Sequence, residues 1–161
     1  MTYRGDDPED YHPYYDDERP YNLKTNKDTY DFSQLARLIG IINQTPDAEF
    51  ADSLEAVLDV AGVLKYFAVN VLTGGWDDYW FLRNNYYLYH HPSENRFHWI
   101  PYDYDNTLGI DWFEIDWTNT DPFNFPVIDG DGRPLAERLM EHDEYRDLYA
   151  HFINFISTKR L

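Results

Sequence analysis

Cysteine is absent from this 161-residue sequence. Without thiols the chain can form neither a disulfide bond nor a thiolate zinc site, so cysteine usage does not indicate a redox compartment. Long apolar runs are also missing, because each run is interrupted well short of the ~20 residues that a bilayer requires. Glycine and proline number only 8 and 9, too few for a collagen-like or low-complexity chain. We therefore expect a globular chain with no membrane span.

Basic residues are scarce. Lys and Arg total 13 against 30 Asp and Glu, which gives a formal net charge of -17. Contacts with a nucleic-acid backbone depend on Lys and Arg, so no nucleic-acid partner is expected, and any phosphate partner would need a metal ion. Aromatic residues reach 19%, including 15 Tyr, which is far more than a disordered acidic tail would carry. We therefore expect the acidic residues to lie on a folded domain rather than in a disordered tail.

The first thirty residues differ from the rest. They are rich in Pro, Tyr and acidic residues and show neither the period of a strand nor that of a helix. We predict that residues 1–30 form an acidic arm or linker with little helix. The folded part is predicted to span residues 31–161.

Apolar periodicity predicts several helices. Leu35, Leu38, Ile39 and Ile42 mark a first helix, with Asp31 or Ser33 as its cap and Thr45-Pro46 as its end. A second apolar series begins after the caps Asp52 and Ser53 and ends at Gly74-Gly75, with a possible break at Asp59 and Gly62. Its apolarity on nearly all sides indicates a buried helix that fixes the following loop, residues 74–84. Near the C-terminus, the sequence predicts a turn at 129–132, a short helix from Pro134 through Met140, and a last helix from Asp143.

Two β-prone runs, residues 85–89 and 96–100, flank a turn-rich connection. This pattern is typical of a β-hairpin. Together with the helices it predicts an α+β fold that is mostly helical.

Polar side chains gather around this hairpin. Asp77 and Asp78 lie on the loop after the buried helix, Asn84 and Asn85 at the hairpin entry, and Asp103 and Asp105 just past its exit. A hairpin brings its entry and exit within a few ångströms, so carboxylate and amide oxygens should meet at one end. Such oxygens bind Mg²⁺ together with substrate phosphate. The sequence therefore predicts a hard-cation site here.

Simpler interpretations stand beside this one. A lone Asp77 or Asp78 often does no more than cap a turn. Asp103 and Asp105 could begin a calcium loop with Glu114 as its twelfth residue, but Leu108 occupies the position that requires Gly. His90, His91 and His98 match no zinc spacing.

The order of these parts is that of a protein-kinase catalytic lobe: a loop Asp, an Asn, a hairpin and a metal-binding Asp. The usual HRD and DFG letters are absent. However, residues 75–77 (GWD), 85–89 (NYYLY) and 99–109 (WIPYDYDNTLG) resemble the signature of the spore coat protein H (CotH) kinase-like family. The similarity extends over about Asn22 to Arg160.

This resemblance implies an atypical kinase fold that transfers the γ-phosphoryl group of ATP to Ser or Thr of a protein substrate. The cofactors would be ATP and Mg²⁺, with Mn²⁺ or Ca²⁺ as alternative metals. By position, Asp77 would be the catalytic Asp. Asn85, Asp103 and Asp105 would be metal ligands, and Trp99 or Phe97 would stack on adenine. The choices between Asp77 and Asp78 and between Asn84 and Asn85 stay open. The family name implies a spore coat, cell-surface or secreted location.

A kinase also needs a glycine-rich cover and a phosphate-pairing Lys. Only Lys24 and Lys27 precede the first helix, and both lie too close to it. We therefore expect a kinase-like C-lobe fragment that is inactive alone, its partners being a missing N-lobe and the remainder of the C-lobe. The alternative is a catalytically silent coat or surface module with structural Ca²⁺-binding acids and aromatic partner-binding patches.

Overall fold

Helices provide most of the regular structure in the computed structural model, which describes residues 1–12, 21–128 and 130–159. Within these residues there are five α-helices and one antiparallel hairpin. The helices are α1 (Ser33–Gln44), α2 (Asp47–Glu55), α3 (Val60–Thr73), α4 (Pro134–Glu141) and α5 (Asp143–Thr158), and the strands are β1 (Tyr86–His91) and β2 (Arg96–Pro101). The predicted α+β class is confirmed. The chain divides into two units, Met1–Val57 and Leu58–Leu161.

In the first unit, α1 confirms the predicted periodicity. Leu38, Ile39 and Ile42 are fully buried, and the Asp31 carboxylate accepts a hydrogen bond of 2.8 Å from the main-chain N–H of Ser33 at the helix start. The helix ends before Thr45-Pro46, as predicted. This end is expected because the residue before a proline disfavours helical backbone angles.

Helix α2 begins earlier than predicted. It starts at Asp47, directly after Pro46, rather than at the caps Asp52 and Ser53. The sequence interpretation was wrong there because the acidic first turn, with Asp47 and Glu49, suits a helix N-terminus without apolar periodicity. The helix packs on α1.

The first twelve residues are part of the first unit. A short 3₁₀ helix spans Pro8–Tyr11. The buried Tyr11 hydroxyl donates a hydrogen bond of 2.8 Å to the Gly5 carbonyl, and the Asn43 side chain on α1 donates one of 3.2 Å to the Met1 carbonyl. Residues 13–20 lie outside the described residues, so the predicted arm stays a prediction.

In the second unit, α3 is the buried helix that the sequence predicts. Asp59 caps it by accepting a hydrogen bond of 3.1 Å from the Gly62 N–H, which confirms the predicted break in the apolar series. Gly74 ends the helix with a φ of 64°, a left-handed conformation that glycine adopts without a Cβ penalty. The helix packs against α5 and β2.

The hairpin is confirmed, with slightly longer strands and a four-residue connection, residues 92–95. Leu88 pairs with Trp99 in its register. The Phe97 carbonyl accepts a hydrogen bond of 2.8 Å from the Asp59 N–H, which fixes β2 to the start of α3.

Helices α4 and α5 confirm the last two predicted helices. The Tyr149 hydroxyl on α5 donates a hydrogen bond of 2.8 Å to the Pro122 carbonyl. This bond attaches the largely irregular segment between β2 and α4, residues 102–133, to α5. Asp129, the first residue of the predicted 129–132 turn, lies outside the described residues. No helix within the described ranges is long and apolar enough to cross a membrane.

Candidate active site

The loop that follows α3 is organised by Asp78. This carboxylate is buried, and it accepts hydrogen bonds of 2.9 Å from the Asn70 amide and 2.8 Å from the Phe81 N–H. The Asp78 carbonyl also accepts a bond of 2.9 Å from the Asn84 N–H. One residue therefore holds the loop to α3 and places Asn84 at the hairpin entry.

Arg133, which lies 52 residues after Phe81 in the sequence, supports the same loop. Its guanidinium is fully buried and donates to the carbonyls of Tyr79 at 3.2 Å and Phe81 at 2.7 Å. Sequence reasoning missed this role because nothing in the local pattern separates a buried Arg from an exposed one.

Asp77 lies at the centre of the candidate site. Its Oδ1 accepts a hydrogen bond of 2.9 Å from the Asn84 amide, and its Oδ2 accepts one of 3.1 Å from the Asn106 amide. A carboxylate has about four lone-pair positions, so both oxygens can still accept from substrate or bind a cation. The contacts fix the direction in which Asp77 points.

The segment after the hairpin is attached to the end of α3. The Leu108 N–H donates a hydrogen bond of 2.7 Å to the Thr73 carbonyl, and the Trp76 indole donates one of 2.8 Å to the Ile110 carbonyl. Asp77 and Asp103 line one small pocket of about 10 Å³, a volume at the lower limit for holding a single water molecule.

The acidic side chains at this end of the hairpin interact electrostatically. The pKa of Asp105 is raised, first by partial desolvation and then by the negative charges of Asp103 and Asp77. Like-charge repulsion of this kind is relieved when a cation binds among the carboxylates. Burial also raises the pKa of Asp78 to about 7, against the opposing effect of the bonds from Asn70 and Phe81.

Of the two candidate amides, Asn84 is the one whose side chain contacts Asp77. Asn85 has a φ of 51°, and its main-chain carbonyl accepts a hydrogen bond of 3.2 Å from the Tyr102 N–H across the hairpin entry. The metal-binding role of Asn85 stays a prediction.

The contact of Asn106 with Asp77 was not predicted from the sequence. Asn106 follows Asp105 inside the 99–109 motif, and this position was the only signal that the sequence offered.

Trp99 and Phe97 lie in the aromatic core, each only 7% exposed. Trp99 stacks on Tyr86 with ring centroids 4.3 Å apart and also packs against Tyr79. Phe97 packs on His90. Their predicted contact with adenine stays a prediction, and the partners they already have argue against it.

The donor set fits a hard divalent cation held by few protein ligands. Within residues 1–12, 21–128 and 130–159, no three His, Asp or Glu side chains converge into a complete metal-binding group. Mg²⁺ commonly uses one or two carboxylates and completes its shell with waters and substrate phosphates. Asp103 and Asp105 are carboxylates whose charges interact, and their role as metal ligands stays a prediction.

Comparison with known protein families identifies the family of this chain. The profile described as CotH kinase protein matches residues 2–161. The chain belongs to the CotH family. The family assignment made from the motifs around Asp77, the hairpin and Asp103 is therefore confirmed.

Two relatives show how much of a CotH protein this chain covers. It is 29% identical over 137 residues to the inner spore coat protein H of Bacillus subtilis (strain 168), a match that covers 83% of the chain and 34% of the relative. It is 27% identical over 106 residues to invasin CotH2 of Rhizopus delemar, covering 62% of the chain and 18% of the relative. The chain thus spans about a third or less of these CotH proteins.

Proposed function

We propose that this chain carries the catalytic carboxylates of a kinase-like C-lobe, which transfers the γ-phosphoryl group of ATP to a Ser or Thr hydroxyl of a protein. The observation that carries the proposal is the position of Asp77. Its two oxygens are held by Asn84 and Asn106, and Asp103 lines the same pocket. Membership of a family described as kinase proteins supports it.

In this reaction, Asp77 orients the acceptor hydroxyl and takes its proton. The hydroxyl oxygen forms a bond to the γ-phosphorus while the bond from that phosphorus to the bridging oxygen breaks, and ADP leaves with the electron pair. Asp103 and Asp105 would hold Mg²⁺, which neutralises phosphate charge. In this proposal the residues of the chain itself supply the base, Asp77, and the carboxylates that would hold the metal, Asp103 and Asp105.

A lobe that clamps the ATP phosphates is also needed, because a base and a metal alone provide only part of the positioning. We propose that the full-length protein supplies this N-lobe and the remainder of the C-lobe. By analogy with the name of the Bacillus relative, a spore coat location is also proposed. The test should therefore use the full-length protein.

The experiment measures transfer of labelled γ-phosphate by the full-length protein with ATP and Mg²⁺. Asp77→Asn keeps the size of the side chain but removes the base, and we expect the rate to fall by roughly 10² to 10⁴. Asp28→Asn, an exposed substitution in the first unit, is the control and should keep the wild-type rate. Wild-type transfer that survives in Asp77→Asn would exclude this assignment.

A second candidate function rests on exposed apolar side chains. Leu108, Ile110 and Trp112 lie within one five-residue segment and are 82%, 48% and 72% exposed. Exposed apolar side chains that form a group are typical of interaction surfaces. A catalytically silent coat or surface module would use such residues to bind a partner and its acids to bind structural Ca²⁺. This alternative predicts a thermal shift with Ca²⁺ that exceeds the shift with Mg²⁺ and that nucleotide does not alter.

A further inference from the structure

The side chain of Asn106 reaches Asp77 from the opposite side of the site. Asn106 is 8% exposed, and its amide donates to Asp77 Oδ2 at 3.1 Å across a separation of 29 residues. Asn84, seven residues from Asp77, donates to Oδ1. The two donors come from different segments, so they restrain the rotation of the carboxylate together.

The two contacts differ in their access to water. The bond from Asn84 is exposed, whereas the bond from Asn106 is partly buried. Water competes with an exposed donor, so the buried contact restrains the carboxylate more strongly.

Asn106 is itself held in place. The next residue, Thr107, bonds through its hydroxyl to the Tyr104 carbonyl at 2.8 Å, and Leu108 bonds to the end of α3. The donor therefore keeps its position before any substrate binds. A fixed donor of this kind orients its acceptor without reorganisation during the reaction.

We propose that Asn106 is a positioning residue that sets the orientation of the Asp77 carboxylate toward the acceptor hydroxyl. This inference rests on the proposed function. A displacement of about 1 Å in a reacting group can cost on the order of 10²-fold in rate. We expect the effect in kcat because Asn106 donates its hydrogen bond to Asp77, the base of the proposed reaction.

The first test compares two substitutions in the full-length protein. Asn106→Leu removes the donor at similar size, and Asn106→Asp keeps the shape but replaces the donor with a second carboxylate. We expect both to lower kcat by about 10- to 100-fold, with KM for ATP within about twofold of wild type. A residue that only maintains the fold would tolerate the isosteric Asp better than Leu, so wild-type kcat in Asn106→Asp overturns the inference.

Asn119→Leu is the matched control. Asn119 also donates its amide to an aspartate, Asp116, at 2.6 Å, and it does not line the pocket of Asp77. This variant should keep both kcat and KM. An equal loss of kcat in Asn119→Leu would show that losing any Asn–Asp contact slows the enzyme, which also overturns the inference.

The second test does not depend on activity. Crystal structures of the full-length wild type and of Asn106→Asp should show the Asp77 carboxylate rotated, or in two conformers, only in the variant. An unchanged Asp77 overturns the inference even if the enzyme is active. Absence of transfer in the wild type overturns the proposed function instead, so the two failures are distinguishable.

Discussion

The guanidinium of Arg133 donates a hydrogen bond of 2.7 Å to the main-chain carbonyl of Phe81, 52 residues earlier in the chain. Phe81 in turn donates its N–H to the buried carboxylate of Asp78. A guanidinium and a carboxyl group, both buried, thus hold the carbonyl and the N–H of one residue in the loop beside Asp77. This arrangement explains how an irregular loop keeps a fixed shape.

Replacing Arg133 with Met should destabilise the fold. The substitution keeps much of the apolar stem but removes the donors to the Tyr79 and Phe81 carbonyls, and we expect the free energy of unfolding to fall by about 2–5 kcal/mol. Urea unfolding measures the change. The control, Arg96→Met, breaks a half-exposed ion pair with Glu94 and should cost no more than about 1 kcal/mol. Equal losses in the two variants would contradict this account.

Stability should depend on pH through Asp78. Its pKa rises from the ordinary value of 3.8 to about 7 in the folded chain because the carboxyl is buried. Between these two values the folded state binds the proton more tightly than the unfolded state, so this contribution favours folding at low pH and is lost as the pH rises toward 7. Relative to Asp78→Asn, the wild type should therefore lose unfolding free energy between about pH 4 and pH 7. Parallel stability curves for the two proteins would show that Asp78 does not titrate in this way.

The aromatic core of the second unit should be sensitive to truncation. Phe67 is fully buried on α3 and packs against Tyr79 and Trp80, so Phe67→Ala should lower the free energy of unfolding by about 3–5 kcal/mol. Phe155→Ala on α5 is the control, because Phe155 is 51% exposed, and it should cost clearly less. Thermal and urea unfolding of both variants measure the difference, and a similar cost would contradict the described core.

Regular elements with a strong local pattern were predictable from the sequence. The series from Leu35 to Ile42 marked α1, and Asp59 with Gly62 marked the break before α3, because apolar spacing and caps act over a few residues. The start of α2 was missed because Pro46 and the acidic first turn decide it without apolar periodicity.

The site was predictable only in part. The order of Asp77, the hairpin and Asp103 indicated that the segments before and after the hairpin meet. The start of the first strand and the end of the second lie side by side in any two-stranded hairpin. The roles of Asn106 and Arg133 depend on contacts across 29 and 52 residues, and local sequence carries no signal for such distances. The burial of Trp99 was missed for a similar reason, because its stacking on Tyr86 depends on the hairpin register.

We propose that the carboxylates at the end of the hairpin form the metal position of a phosphotransfer site. A crystal structure of the full-length protein with Mn²⁺ and a non-hydrolysable ATP analogue tests it most directly, because the anomalous signal of Mn²⁺ locates the ion. The account predicts Mn²⁺ between the analogue's phosphates and Asp103 or Asp105, with Asp77 facing the γ-phosphate. Mn²⁺ and the analogue bound away from these three residues would contradict it.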